Sequence, residues 1–300
     1  MNRLKTFCLC TMAILFAMPM FSQGIVVCKK DGTRIVFPYE TIDSVVTYNY
    51  DEEPSSGSGE FGEVKVITVN GVSFKMIPVE GGTFTMGATA EQQNPDDDEK
   101  PTHTVTLSDY YIGETEVTQA LWKAVMGYSP TADGSLWSSA YGLGDNYPAY
   151  YISYNDVTSF ISNLNQLTGM NFRMPTEAEW EYAARGGNKS KGYQYSGSNN
   201  LGNVAWYTAN ASATTHPVKT KSPNELGIYD MSGNVNEWCS DWYGSYSSSS
   251  QTNPKGPSTG SNRVHRGGDY RHVASSCRSA SRFIKTPGSR YDILGLRLAY

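Results

Sequence analysis

Asp230, Asn234, Asn236 and Glu237 put four oxygen-bearing side chains into one short stretch, around Gly233 and among the rings of Tyr229, Trp238 and Trp242. A flexible glycine between such residues lets carboxylates and backbone carbonyls wrap a single point, which is what a hard cation such as calcium requires. The same residue types also make tight turns in which Asp and Asn bond their own backbone. Composition alone leaves both readings open.

The elements that must position this stretch are legible upstream of it. Thr176 and Glu179 form a capping box that opens a helix ending near Arg185, before Gly186-Gly187, and this fixes Trp180 and Tyr182. Val157, Phe160, Ile161 and Leu164 mark one face of a helix over Ser153 to Leu167, stopped by Gly169. Thr115 to Met126 reads as a further helix. Val64 to Val69, Phe74 to Val79 and Thr83 to Met86 read as short strands. After Gly187 the periodicity fades into stretches rich in Gly, Asn, Ser and Pro. The expected α+β domain, residues 64–300, is therefore loop-rich and held by aromatic packing, caps and ions.

Residues 1–23 read as a signal peptide: Arg3 and Lys5, an apolar run from Phe7 to Met18, then Pro19 and small or polar residues near Ser22. The run is too short for a stable membrane span. The mature chain is expected to be exported, whether periplasmic, cell-surface or secreted. Residues 24–50 form a small β segment, with a hairpin of Gly24 to Cys28 and Arg34 to Phe37 across Lys30-Asp31-Gly32, then Ser44 to Tyr48. Residues 51–63 have linker composition. A net charge of −5 with no Lys/Arg run argues against nucleic acid as partner.

Loss of the leader removes Cys8 and Cys10 and leaves Cys28, Cys239 and Cys277. An odd count in an oxidising compartment suggests one pair and one thiol. Cys239 and Cys277 share the large domain, so their bond is the favoured pairing, worth about 3 to 4 kcal/mol if unstrained. His103, His216 and His265 show no ligand spacing, and no Ser/His/Asp nucleophile motif or phosphate-cradling loop is present.

Five ordered stretches carry a resemblance: Gly81 to Gly87, Glu116-Val117-Thr118, Arg173 to Gly187, Gly233-Asn234-Val235-Asn236-Glu237-Trp238, and Arg266-Gly267-Gly268 with Cys277-Arg278-Ser279-Ala280. Together, over roughly residues 72 to 299, they resemble the formylglycine-generating enzyme (sulfatase-modifying factor) family. The resemblance implies a fold related to C-type lectins, with little regular secondary structure. It also implies a structural calcium held by side-chain oxygens of Asp230 and Glu237 and carbonyls of Met231, Gly233 and Val235. A second family site would begin at Asn203 and Val204, with Asn210 as a further candidate.

Catalysis in this family uses two cysteines, with four residues between them, that bind copper(I). Counted from Gly268, His272 stands at the first thiol's place and Cys277 at the second's; counted back from Arg282 and Pro287, a three-residue gap displaces Cys277 altogether. Asp269 replaces the family's serine, and Asn236 replaces its usual tryptophan. A copper site of His272 and Cys277 would be incomplete, and the enzymatic reading is an oxidase converting a cysteine of exported sulfatases to formylglycine. The contrasting reading is a binding or scaffold module. Its protein or glycan ligand would meet a C-terminal loop surface of Tyr270, Arg271, His272, Ser275 and Tyr291, with Ser276, Ser281 and Phe283, a layout similar to that of variable proteins diversified by retroelements. Tyr and Ser give such surfaces contact area at low entropic cost.

Overall fold

The computed structural model describes the backbone of residues 24–28 and 34–38, and residues 61–129 and 137–300 throughout. The chain divides into two units, residues 1–58 and 59–300. In the first, β1 (Gly24–Cys28) and β2 (Arg34–Pro38) pair antiparallel, from Gly24 opposite Pro38 to Cys28 opposite Arg34. The expected leader, the strand at Ser44 to Tyr48 and most of the linker lie outside the described residues.

In the second unit β3 (Lys65–Val69) and β4 (Val72–Val79) form one hairpin. Its turn is Asn70-Gly71, both at positive φ (47° and 81°), the pairing a tight two-residue connection demands. Then follow β5 (Gly82–Met86), β6 (His103–Leu107), β7 (Tyr110–Gly113), α1 (Gln119–Met126), α2 (Tyr154–Thr168), α3 (Glu177–Ala184) and the single-turn α4 (Leu201–Val204). The remainder holds β8 (Asn236–Trp242), β9 (Gln251–Thr252), β10 (Arg263–Arg266), β11 (Arg282–Lys285) and β12 (Leu294–Gly295). The strands make three sheets, ordered β3-β4-β7, β5-β6-β9 and β11-β10-β8-β12.

Caps decide the helix boundaries. Thr118, Ser153 and Thr176 each accept a backbone N–H of the first turn, so the helices begin a residue or more inside the spans the periodicity suggests. Gly127 and Gly169 close α1 and α2 in the left-handed conformation. The apolar faces of α1 and α2 meet with Trp122 stacked on Phe160 at 4.9 Å, in a core shared with Ile152, Trp238 and Leu296. A second cluster lies around α3 and includes Trp180, Val105, Met231, Cys239 and Val264.

Where regular structure was expected to fade, a four-stranded sheet forms. Its β8 strand is buried from Asn236 through Cys239, so no alternation of apolar and polar residues betrays it. The fold is mixed α and β with long loops, as expected, and its regular part extends further toward the C-terminus than periodicity suggests.

Candidate functional site

The loop entering β8 is tightly determined. Asp230, Gly233 and Asn234 all have positive φ. A Cβ on Gly233 would lie 2.3 Å from the Trp206 carbonyl oxygen, so only glycine fits. Asn234 donates to Glu116 Oε2 (2.8 Å), and its Oδ1 accepts the His216 N–H (2.9 Å). Glu116 Oε1 accepts the Val235 N–H (3.1 Å), and Asp230 Oδ2 accepts that of Lys219 (2.8 Å).

Three carboxylates, Glu116, Asp230 and Glu237, are buried around one guanidinium, that of Arg297. Arg297 holds Glu237 with its Nε and Nη2 (2.7 to 3.0 Å) and also donates to the Gly113 and Tyr229 carbonyls. Trp180 Nε1 donates to Glu237 as well (2.6 Å). Burial and the neighbouring carboxylates push Glu116 well above the usual range, and burial lifts Asp230 to about 6. The oxygen-only donor set and its surplus negative charge suit a hard cation. Glu237, however, already spends its acceptor capacity on Arg297 and Trp180. Among the described residues no three His, Cys, Asp or Glu side chains gather in metal-holding geometry. Asn203, by contrast, is exposed on α4 with its carbonyl accepting the Ser222 N–H, and Val204 faces a small apolar cluster, so that pair lies apart from the Asp230 loop's bonds.

The C-terminal loops hang from buried arginines. Arg266 bonds Glu177 and Glu181, Arg278 grips Glu99 with two 2.6 Å bonds, Arg282 pairs with Glu177, and Arg297 with Glu237. Every acid lies on a distant part of the chain, and every guanidinium is almost wholly buried.

Between these anchors Asp269 is fully buried. Its Oδ1 accepts the backbone N–H of Arg271 and His272, its Oδ2 accepts Asn236 Nδ2 (2.6 Å), and His272 Nδ1 lies 2.5 Å from the same Oδ2. That contact raises the His272 imidazole's pKa above its ordinary value. His272 stacks on Phe283 at 5.2 Å, and His265 stacks on the same ring at 5.5 Å. The partner-free His265 is driven down to about 3, chiefly by burial.

Cys277 closes the loop on a 3-10 turn, Ala274–Cys277. It is fully buried with Tyr195, Leu201, Val204 and Ala205, and burial pushes its thiol up, away from thiolate. Its Sγ lies 3.9 Å from the Val273 carbonyl oxygen, while His272 turns to Asp269 and Phe283. The disulfide expected between Cys239 and Cys277 is absent. Both thiols are free, because Cys239 packs in the cluster around α3 and Cys277 in the one beside α4.

Of the expected ligand surface, Arg271, Ser275 and Tyr291 are exposed and His272 partly so. Tyr270 is not surface: it is completely buried, with its hydroxyl bonded to Asp292 (3.0 Å). A buried hydroxyl partner is what lets a tyrosine leave water. Ser281 is buried too, bonded to the Ser275 carbonyl. Arg271 pairs with Asp292 and lies over the Tyr141 ring at 5.2 Å. Lys285 Nζ sits 4.7 Å from the Tyr291 ring centre, and Phe283, two residues earlier on β11, shares its face. Tyr141 and Lys285 extend the patch beyond the residues expected, and Phe283 was among those expected. Glu116 lay within a matched stretch, yet nothing in its spacing linked it to Asp230.

Two cavities lie elsewhere. One of about 520 Å³ is lined by Glu177, Asp241, Trp242, Tyr246 and Arg282, and one of about 640 Å³ by Tyr154, Ile161, Phe172, Arg173 and Glu179. Neither is lined by Arg271, His272, Cys277 or Tyr291. No helix among the described residues is long and apolar enough to cross a membrane.

Comparison with known proteins matches this architecture. Residues 62–300 fit the family model of the sulfatase-modifying factor enzyme 1-like domain. The chain is 35% identical to the chaperone protein LppX of Paenibacillus barcinonensis, over 75% of this chain and 86% of that one. It is 32% identical to the formylglycine-generating enzyme of Streptomyces coelicolor, over 74% and 88%. Among solved structures, Treponema denticola variable protein 1 superposes with a TM-score of 0.69 at 33% identity, covering 79% of this chain and 98% of that one. PvdO from Pseudomonas aeruginosa gives 0.66 at 28% identity, covering 80% and 98%. With its five motifs in order and this fold around them, the chain belongs to the sulfatase-modifying factor enzyme 1-like domain family.

Proposed function

We propose that this protein is an exported, calcium-stabilised binding module of the family, and that it does not carry out copper-dependent cysteine oxidation. The observation that carries this reading is the pair of positions where the family's thiols would stand. Counted from Gly268, His272 stands at the first and is turned to Asp269, and Cys277 at the second, where burial raises its thiol pKa and disfavours the thiolate. Copper(I) needs soft, ionised sulfur, and this loop offers one neutral thiol. The same loops present Arg271, His272, Ser275 and Tyr291 outward from a buried arginine framework, a rigid platform for a protein or glycan ligand. Similarity to a variable protein of Treponema denticola points the same way.

The competing reading, an oxidase acting on exported sulfatases, draws on the relatives named formylglycine-generating enzymes. One experiment separates them. The folded protein is offered copper(I) in competition with a chromophoric chelator, then oxygen and a cysteine-containing sulfatase peptide. No tight copper uptake and no loss of the peptide thiol are expected; conversion to formylglycine would overturn the binding-module reading.

Calcium would be held by Asp230 and by carbonyls of Met231, Gly233 and Val235, while Glu237 stays bonded to Arg297 and Trp180. Its chemistry is structural: it supplies positive charge that lets Asp230 and Glu116 ionise in a buried place. A chelator is expected to lower the melting temperature of the parent and to leave that of Asp230→Asn unchanged. An unchanged parent melt would remove calcium from the account.

A further inference from the structure

Asn236, Asp269 and His272 meet around one buried carboxylate. Asn236 lies 33 residues before Asp269, His272 follows Asp269 at i+3, and the fold brings the three together. Asn236 Nδ2 donates to Asp269 Oδ2, and His272 Nδ1 contacts that oxygen. Asn236 and Asp269 are fully buried, whereas the His272 side chain keeps 35% of its exposure. Asn236 leaves its own Oδ1 without a partner, so its side chain is oriented through Asp269. With Nδ1 in close contact with the carboxylate, outside hydrogen-bond geometry, and the ring flat on Phe283, Nε2 makes no hydrogen bond among the described residues.

The neighbours repeat this layering. Arg271 keeps 45% of its side-chain exposure above Asp292, which keeps 12%. Lys285 has no ion pair among the described residues and rests on Tyr291. The acids lie beneath their cations, so the outward layer is positive and set among rings: Tyr141, Phe283 and Tyr291. Exposed Val273 and Tyr291 add apolar area.

We infer that Asn236 and Asp269 are positioning residues that hold His272 outward as an N–H donor, and that the face of Arg271, His272, Lys285 and Tyr291 recognises an acidic peptide segment of a partner protein. This deepens the binding-module reading and rests on it. Charge complementarity selects the acidic ligand, and the apolar and aromatic area beside the cations favours a peptide over a sulfated polysaccharide. The groups that set the charge on His272 are Asp269 on its own loop, Lys285 on β11, and His265 on β10 behind Phe283, with the Arg271–Asp292 pair alongside. His265 stays neutral, so Asp269 favours the charged imidazole and Lys285 opposes it.

The test measures binding of a fluorescent glutamate- and tyrosine-rich peptide to the full chain at low salt, with its glutamine analogue and heparin as comparisons. Binding of the glutamate peptide alone is expected, weakened at least fivefold by His272→Gln and by Lys285→Gln, both partly exposed, with circular dichroism showing each variant folded at the assay temperature. Parent affinity should fall as pH rises from 6 to 8. Asp269→Asn should flatten that profile, and Asn236→Ala should shift it to lower pH. Absence of binding, equal binding by His272→Gln, preference for heparin, or an unchanged pH profile in Asp269→Asn would each overturn the inference. Failure of the binding-module reading shows separately, as formylglycine in the copper assay.

Discussion

Asp241 gives the most direct test of the electrostatics. It is 4% exposed on β8, and Oδ2 accepts the Glu177 N–H (3.0 Å) and the Ser240 hydroxyl (2.9 Å). Burial first, and the Glu177 carboxylate second, lift its pKa to about 7 from 3.8. A carboxyl raised in this way binds its proton more tightly in the folded chain. Stability is therefore fullest below the unfolded value and is lost as pH rises through about 7. Between pH 5 and pH 8 a single site with these two pKa values forfeits about 2 to 3 kcal/mol, taking about 1.4 kcal/mol per unit. Asp241→Asn keeps an acceptor for both donors and removes the titration. Urea unfolding of parent and variant at pH 5, 6, 7 and 8 should give curves that diverge, with the variant gaining on the parent by about that amount at pH 8. Glu177, paired with Arg282 and Arg266, has a lowered pKa and contributes in the opposite sense only in acid. Parallel profiles across the range would refute the assignment of a high pKa to Asp241.

Gly233→Ala should fail to fold or lose several kcal/mol, since the added Cβ meets the Trp206 carbonyl at 2.3 Å at a φ of +80°; expression and circular dichroism decide this. Arg297→Met leaves Glu237 buried without its cation and should destabilise by about 3 to 5 kcal/mol, read by urea unfolding. In a Cys28→Ser background, Ellman's reagent should find no reactive thiol in the native protein and two after denaturation; none after denaturation would restore a disulfide between Cys239 and Cys277.

What could be read from sequence follows from how each interaction is encoded. Helix caps are local, so Thr176 with Glu179 and Ser153 with Gly169 marked real boundaries. The Asn70-Gly71 turn was just as local, yet its two strands were read separately. β8 was hidden because burial erases the alternation that reveals a half-exposed strand. The acid cluster joins Glu116, Asp230 and Glu237 around Arg297, partners brought together only by the closed fold. Tyr270 was misassigned because tyrosine suits both a surface and a core with a hydroxyl partner, and only Asp292 settles which. The cysteine count could not say that two thiols in one domain occupy different apolar clusters.

Arg266, Arg278, Arg282 and Arg297 each reach out of the last part of the chain to an acid in an earlier element. The exposed residues between them contribute little to holding the domain together. A segment riveted at fixed points leaves its exposed side chains, Arg271, Ser275 and Tyr291 among them, open to substitution at little cost to the fold.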